Sequence, residues 1–138
     1  MITKEMLLNI DVEKLDPEKW LDFPDFKFRQ YFLWQNPDTG ASIAVLDFAE
    51  GATVPVKHIH ASNQFMYCIE GEYEYTDSKL VLRPGSFYMN PKDHPHGPTL
   101  ARKRSILIEI YDGPHYYEKP VFHSEKTAAT LGLGKVRS

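Results

Sequence analysis

From Phe26 to His123 the chain is a succession of short runs rich in aromatic and β-branched residues, divided by turn-forming clusters. The runs are 26–35, 41–49, 53–58, 64–70, 72–76, 79–83, 86–90, 97–100, 104–112 and 115–123. The dividers carry turn chemistry: Asn36-Pro37-Asp38-Thr39-Gly40, Glu50-Gly51, Glu70-Gly71, Arg83-Pro84-Gly85, Pro91-Lys92-Asp93 and Asp112-Gly113-Pro114. Strands this short and this evenly spaced make a closed all-β barrel or sandwich the economical architecture, because closure removes exposed edges. A length of 138 residues supplies one domain with a real core and not two. Aromatic residues at 13% favour strands over helices.

Residues 1–25 are mixed, and Asp16-Pro17-Glu18-Lys19-Trp20 predicts a short helical turn with a cap, then Pro at the first position. Residues 124–138 form a tail that begins as a helix over Glu125–Leu131, is stopped by Gly132 and ends basic. A formal net charge of −3 gives no electrostatic reason to expect nucleic acid or an anionic membrane as partner. The first ten residues lack the apolar core of a signal peptide, and no stretch approaches a membrane span. Cys68 is the single cysteine, so no disulfide forms within the chain. The expected setting is the reducing cytoplasm.

The chemistry centres on Lys57-His58-Ile59-His60. Residues two apart on a strand share a face, about 7 Å apart at the backbone, so both imidazoles can share an ion at about 2.1 Å each. Ile59 then faces the other way. A turn at Ala61-Ser62-Asn63 returns the chain, and Gln64 opens the next antiparallel strand facing back into the site. Asp93-His94-Pro95-His96 follows another strand and turn and offers a third imidazole. Neutral imidazoles suit Fe(II), Zn, Ni, Cu or Mn, so ligand type alone does not select the metal.

This stretch resembles the two cupin motifs. The first reads Gly51-Ala-Thr-Val-Pro-Val-Lys-His58-Ile-His60-Ala-Ser-Asn-Gln64-Phe-Met-Tyr-Cys-Ile-Glu-Gly71, and the second Gly85-Ser-Phe-Tyr-Met-Asn-Pro91-Lys-Asp93-His-Pro-His96. The resemblance implies a single cupin barrel, a double-stranded β-helix or jelly roll, over 26–123. It also implies one divalent transition metal on His58, His60 and His96, and the count from Gly85 favours His96 over His94. This chain departs from the pattern in three places. Gln64 replaces the commoner glutamate, one extra residue separates Gly51 from His58, and Asp93 stands where glycine is preferred. A bulge absorbs the extra residue, and Asp tolerates turn geometry.

Gln64 leaves the protein's ligands neutral, so a bound divalent ion keeps its full charge. That favours an anionic or enolisable substrate and, for iron, the ferrous state. Direct ligation by Gln64 and a place behind the ligands, on a bound water or the substrate, both remain open. More finely, the chain is similar to the acetylacetone-cleaving and dihydroxyacetophenone dioxygenase-like cupins. Asn36-Pro-Asp-Thr-Gly-Ala-Ser, His58-Ile-His60-Ala, His96-Gly-Pro-Thr99 and Arg104-Ser-Ile-Leu-Ile-Glu-Ile-Tyr-Asp-Gly-Pro114 carry that likeness. It implies a three-histidine Fe(II) site, with Zn, Ni or Mn as alternatives, oxidative carbon–carbon cleavage with dioxygen, and a homo-oligomer.

In Ser105–Tyr111 the odd positions share one face, so Glu109 either enters the barrel as a base or ligand-orienting group or stays solvated. Met66 and Cys68 alternate with Gln64 and are expected to line the pocket with Leu107 and Tyr88, while Phe65, Tyr67 and Ile69 pack behind. The parity of Phe87, Tyr88 and Met89 stays open. His115 and His123 read as surface residues, and Arg102-Lys103-Arg104 as a solvated hairpin tip. The aromatic N-terminal segment, with Trp20, Phe23, Phe26 and Phe28, is the expected homodimer surface.

Overall fold

A computed structural model of the protein describes residues 4–119 and 123–124. Nine strands follow in chain order: β1 Leu21–Phe23, β2 Phe28–Gln35, β3 Ser42–Phe48, β4 Gln64–Glu70, β5 Tyr73–Tyr75, β6 Leu80–Leu82, β7 Phe87–Asn90, β8 Thr99–Ala101 and β9 Ser105–Tyr111. They form a six-stranded sheet in the order β1-β2-β3-β9-β4-β7 and a three-stranded sheet in the order β6-β5-β8. Every pairing is antiparallel. The all-β architecture read from the sequence is the one observed, with no α-helix among the described residues.

Three elements differ from the sequence expectation. β1 lies inside the stretch read as mixed, where it extends the sheet by pairing with β2. The run 53–58 is not a strand: it pairs with the 96–101 stretch at scattered points such as Thr99 N to Val54 O at 3.0 Å. The extra residue of the first motif falls in this loosely paired stretch, so it shifts no strand register. Residues 115–119 form no strand, because Pro114 and the turn before it take the chain off the sheet, and 120–122 lie outside the described residues. The tail helix over Glu125–Leu131 also lies outside them. The helical turn is present as a 3₁₀ turn over Pro17–Lys19, with Asp16 Oδ1 accepting from Glu18 N.

β3 is buried on both faces. Leu46 and Phe48 point between the sheets with Met66, Cys68, Tyr73, Tyr75 and Leu107. Val45 points the other way, under Leu15, Trp20 and Tyr31. The N-terminal segment is thus a second layer on the outer sheet face, with the Trp20 and Tyr31 rings edge to face at 5.2 Å and Arg29 over the indole at 4.0 Å. Trp20 and Phe23 are therefore buried by their own chain, while Phe26 and Phe28 of the same segment are half-buried. Exposed apolar groups include Met6, Leu7, Leu8 and Ile10 of the N-terminal segment, and on the strands Tyr67 and Ile69 of β4, Phe87 and Met89 of β7 and Ile110 of β9. Tyr67 and Ile69 do not pack behind the strand as expected.

Gly71, which closes the first motif, needs to be glycine twice over. Its φ is +96°, and a Cβ there would overlap Arg104 O and the Ser105 backbone. That close approach lets β4 leave the sheet beside the start of β9.

Candidate metal centre

The cavity between the sheets receives side chains from both motifs. His58 and His96 are an antiparallel bridged pair, with His58 N donating to His96 O at 2.9 Å and His96 N to His58 O at 3.0 Å. His60 lies two residues on, and its carbonyl accepts from Asp93 N. Asp93 has φ +67°, the turn conformation that this position of the second motif demands. Ile59 points outward. His94 turns away as well, with Nδ1 on Asn90 Oδ1 at 3.0 Å, so His96 is the third imidazole.

The three rings present Nε2 to one point. His60 Nε2 lies 2.8 Å from His96 Nε2, which lies 3.2 Å from His58 Nε2. The opposite nitrogens are anchored: His58 Nδ1 on Val56 O at 2.9 Å, His60 Nδ1 on His115 O at 3.0 Å and His96 Nδ1 on the Tyr88 hydroxyl at 2.9 Å. Backbone carbonyls only accept, so Nδ1 of His58 and His60 carries the proton and their Nε2 atoms carry lone pairs. His96 Nε2 has at most one proton to share between them. A cation at the focus satisfies all three. Imidazoles about 2.1 Å from an ion and at right angles around it stand about 3.0 Å apart; the two separations from His96 lie on either side of that, and all three ligand atoms lie within 4.8 Å of one another. Burial, then the neighbouring imidazoles, depress His60 to about 3 and His96 to about 2, which keeps both neutral and able to ligate. The donor set therefore fits a divalent transition ion.

Gln64 begins β4 beside this group. Its Nε2 donates to Glu109 Oε2 at 2.8 Å and to the Tyr111 hydroxyl at 3.0 Å, while its Oε1 is buried with no hydrogen-bond partner among the described residues. Tyr111 in turn lies 3.3 Å from His60 Nδ1. Glu109, 7% exposed, faces inward and also accepts from Gln30 Nε2 at 3.3 Å and from Tyr111. Burial raises its pKa to about 7, against the pull of those hydrogen bonds. Of the two readings of Glu109, the inward one is observed.

The cavity offers about 50 Å³ to water centres, room for about four waters at about 10–15 Å³ each. Its wall includes the three ligand histidines, Gln64, Glu109 and Met66. Cys68 and Leu107 share their inward parity but sit further along the strands, in the core. Tyr88 is half-buried behind His96, where Tyr75 stacks against both rings at 4.4 and 5.0 Å. His115 and His123 are not surface residues: they are 5% and 6% exposed and line the cavity with Tyr116. Ser42 Oγ lies 2.6 Å from His115 Nε2, and the Tyr111 ring stacks on His115 at 3.7 Å. Gln30 was also missed, although its alternation with Phe28 on β2 places a polar residue on the inward face.

A two-sheet β-barrel with three imidazoles converging inside it defines a cupin with a candidate three-histidine metal group. The chain belongs to the ChrR cupin-like domain family, whose model matches residues 10–115. Solved structures of similar fold include an acetylacetone dioxygenase from Acinetobacter johnsonii, 17% identical over 97% of this chain and 97% of that one, at a TM-score of 0.65. KdgF from Halomonas sp. is 22% identical over 67% of this chain and 83% of that one, at 0.56. The complex of Rhodobacter sphaeroides SigE with the anti-sigma ChrR gives 19% identity over 68% of this chain and 48% of that one, at 0.56. No protein of curated function matches the sequence.

Proposed function

We propose that this chain is an Fe(II)-dependent dioxygenase that cleaves a carbon–carbon bond in a small enolisable anion, a diketone or a hydroxyketone. The observation that carries the reading is the charge of the donor set: three neutral imidazoles and an amide oxygen, with the cavity's carboxylate set back behind Gln64. A divalent ion held by such donors keeps its charge for a substrate that chelates as an anion. When bound, ferrous iron supplies the dioxygen chemistry that no side chain here has. The chain's own groups bind, orient and move a proton. Glu109, with a pKa near neutrality, is matched to removing a proton from carbon between two carbonyls. Phe28, Leu46, Phe48 and Met66 exclude water around the substrate. The small cavity favours an acyclic substrate over an aromatic ketone. The neighbour named as an acetylacetone dioxygenase is in keeping with this reading, but the donor set carries the argument.

The family itself favours a second reading, a metal-holding sensor module that binds its ligand without turnover. One experiment separates the two. Metal-free protein is loaded anaerobically with Fe(II) or Zn(II) and given β-diketones, hydroxyketones and hydroxyacetophenones. The expected result is substrate-dependent oxygen uptake with iron and none with zinc, which has no redox chemistry. Turnover with zinc and no oxygen uptake would replace the dioxygenase with a Lewis-acid isomerase, cyclase or lyase, for which Ni or Mn would also serve. Binding without turnover under either metal would establish the sensor.

Assembly into a homodimer belongs to the same proposal, in the cytoplasm, where Fe(II) and the Cys68 thiol both stay reduced. With Trp20 and Phe23 covered, the surface proposed for a second copy is the exposed apolar face of β4 and β7 together with the exposed Leu7, Leu8 and Ile10 of the N-terminal segment. A dimer burying more than about 1,000 Å² is expected. Light scattering at tens of micromolar checks it, and a monomer there would end the idea.

A further inference from the structure

Gln30 carries a polar atom that the proposed reaction does not use. It lies within β2, 5% exposed, with its side chain in the cavity wall. Its amide nitrogen donates to Oε1 of Glu109, while Gln64 donates to Oε2 of the same carboxylate. Ionised Glu109 only accepts, so above its pKa the amide is held with its NH₂ toward Glu109 and its carbonyl oxygen away from it. That oxygen is buried and has no hydrogen-bond partner among the described residues. Leaving such an atom unpaired costs about 1–3 kcal/mol. The apolar part of the wall around it, including Phe28, Leu46 and Phe48, has no proton to offer. Gln64 Oε1 is in the same state, but beside the histidines it can complete the shell of an ion. Gln30 reaches the site through Glu109, so its oxygen is placed for the ligand.

We infer that Gln30 Oε1 accepts a hydrogen bond from the substrate, which therefore bears a hydroxyl or N–H group beside its metal-chelating oxygens. This rests on the metal-site reading above and narrows it. A simple diketone bound as its enolate has no such donor, whereas a hydroxyketone or hydroxy acid does. A site built to hydrogen-bond a hydroxyl discriminates strongly against the analogue without it, because the buried acceptor is then left unpaired.

The test uses the full chain loaded with Zn(II) and titrated calorimetrically with pyruvate and with 3-hydroxypyruvate, which differ by one hydroxyl. Hydroxypyruvate is expected to bind at least about tenfold more tightly. Gln30→Met keeps the length of the side chain and removes both the acceptor and the donor to Glu109, and whatever it does to the two affinities it should bring their ratio to within about twofold of unity. A wild-type ratio near one would mean that a buried water occupies Gln30 Oε1, and would overturn the inference. A ratio that survives Gln30→Met would overturn it too, and so would zinc-loaded protein that binds neither probe. The wild-type ratio decides even where the variant fails to fold. Protein that holds no zinc at all would instead show that the metal-site reading has failed.

Discussion

Replacing His96 with alanine is expected to strip the protein of its metal while leaving the barrel folded. Elemental analysis of wild type should find up to one first-row transition ion per chain, and His96→Ala or His58→Ala should lose most of it. The expected fall in affinity is at least about 100-fold, more than the roughly 10–100-fold that follows loss of an outer partner of a ligand. The fold should survive because His96 makes its bridge to His58 through backbone atoms, which alanine keeps. In metal-free protein the substitution also relieves a crowd of Nε2 atoms 2.8 and 3.2 Å apart. Two further variants grade the effect. Tyr88→Phe removes the oxygen that holds His96 Nδ1 and should sit in the 10–100-fold range, roughly. His94→Ala should change nothing, since that ring is bonded to Asn90 outside the cavity. Full metal retention in both His58→Ala and His96→Ala, with circular dichroism unchanged, would sink the site.

What the sequence made legible here was local geometry. A turn before Gln64 and the parity of Glu109 within Ser105–Tyr111 each put a side chain on a face, and those faces are the ones observed, whereas His58 and His60 converge from outside any strand, His58 on an isolated bridge to His96. Parity selects a side of a sheet but not a depth along it. Cys68 and Leu107 have the same parity as Gln64 and Glu109, yet they pair with each other further down the strands, where core replaces cavity. Residues outside regular strands have no parity to read. His115 follows Gly113-Pro114, and its burial comes from Ser42, 73 residues earlier, and from the face of Tyr111. Trp20 and Phe23 look like surplus aromatic surface until Tyr31, Val45 and Phe28 are brought beneath them by strand pairing. Gln30 was within reach: a polar residue between aromatic neighbours on an inward face is a buried polar group that needs partners.

Metal-free protein is expected to lose stability as the pH falls below about 6.5, because buried histidines stay neutral in the fold and charge on unfolding. Burial, then neighbouring imidazoles, hold His60 at about 3 and His96 at about 2, and burial drives His115 well below its ordinary value. An unfolded histidine takes its proton near pH 6.5, approximately. Between the unfolded and folded values the unfolded chain binds more protons, so stability rises with pH in that window. It is full above about 6.5 and is lost as the pH falls toward the folded values. At a pH of about 5.5 His60, His96 and His123, the last held at about 4 by burial, each cost about 1.4 kcal/mol, and His58 and His115, also lowered by burial, add to the loss. Glu109 has the opposite sign. Burial raises it to about 7, so below that pH the folded state binds the extra proton, and the contribution is lost only as the pH rises through about 7. As the pH is lowered from about 7 to about 5.5 it returns somewhat less than about 2 kcal/mol, which His60, His96 and His123 together exceed. The net loss is at least about 2 kcal/mol, or roughly 5–10 °C in Tm for a domain of this size. Thermal melts of chelator-treated protein at several pH values across that range check it, and a flat or rising Tm toward acid would overturn the assignment of neutral, buried imidazoles. Glu109→Gln should steepen the loss by removing the opposing proton. Zinc-loaded protein should melt higher at neutral pH and converge on the metal-free curve in acid, where protons and the ion compete for the same three nitrogens.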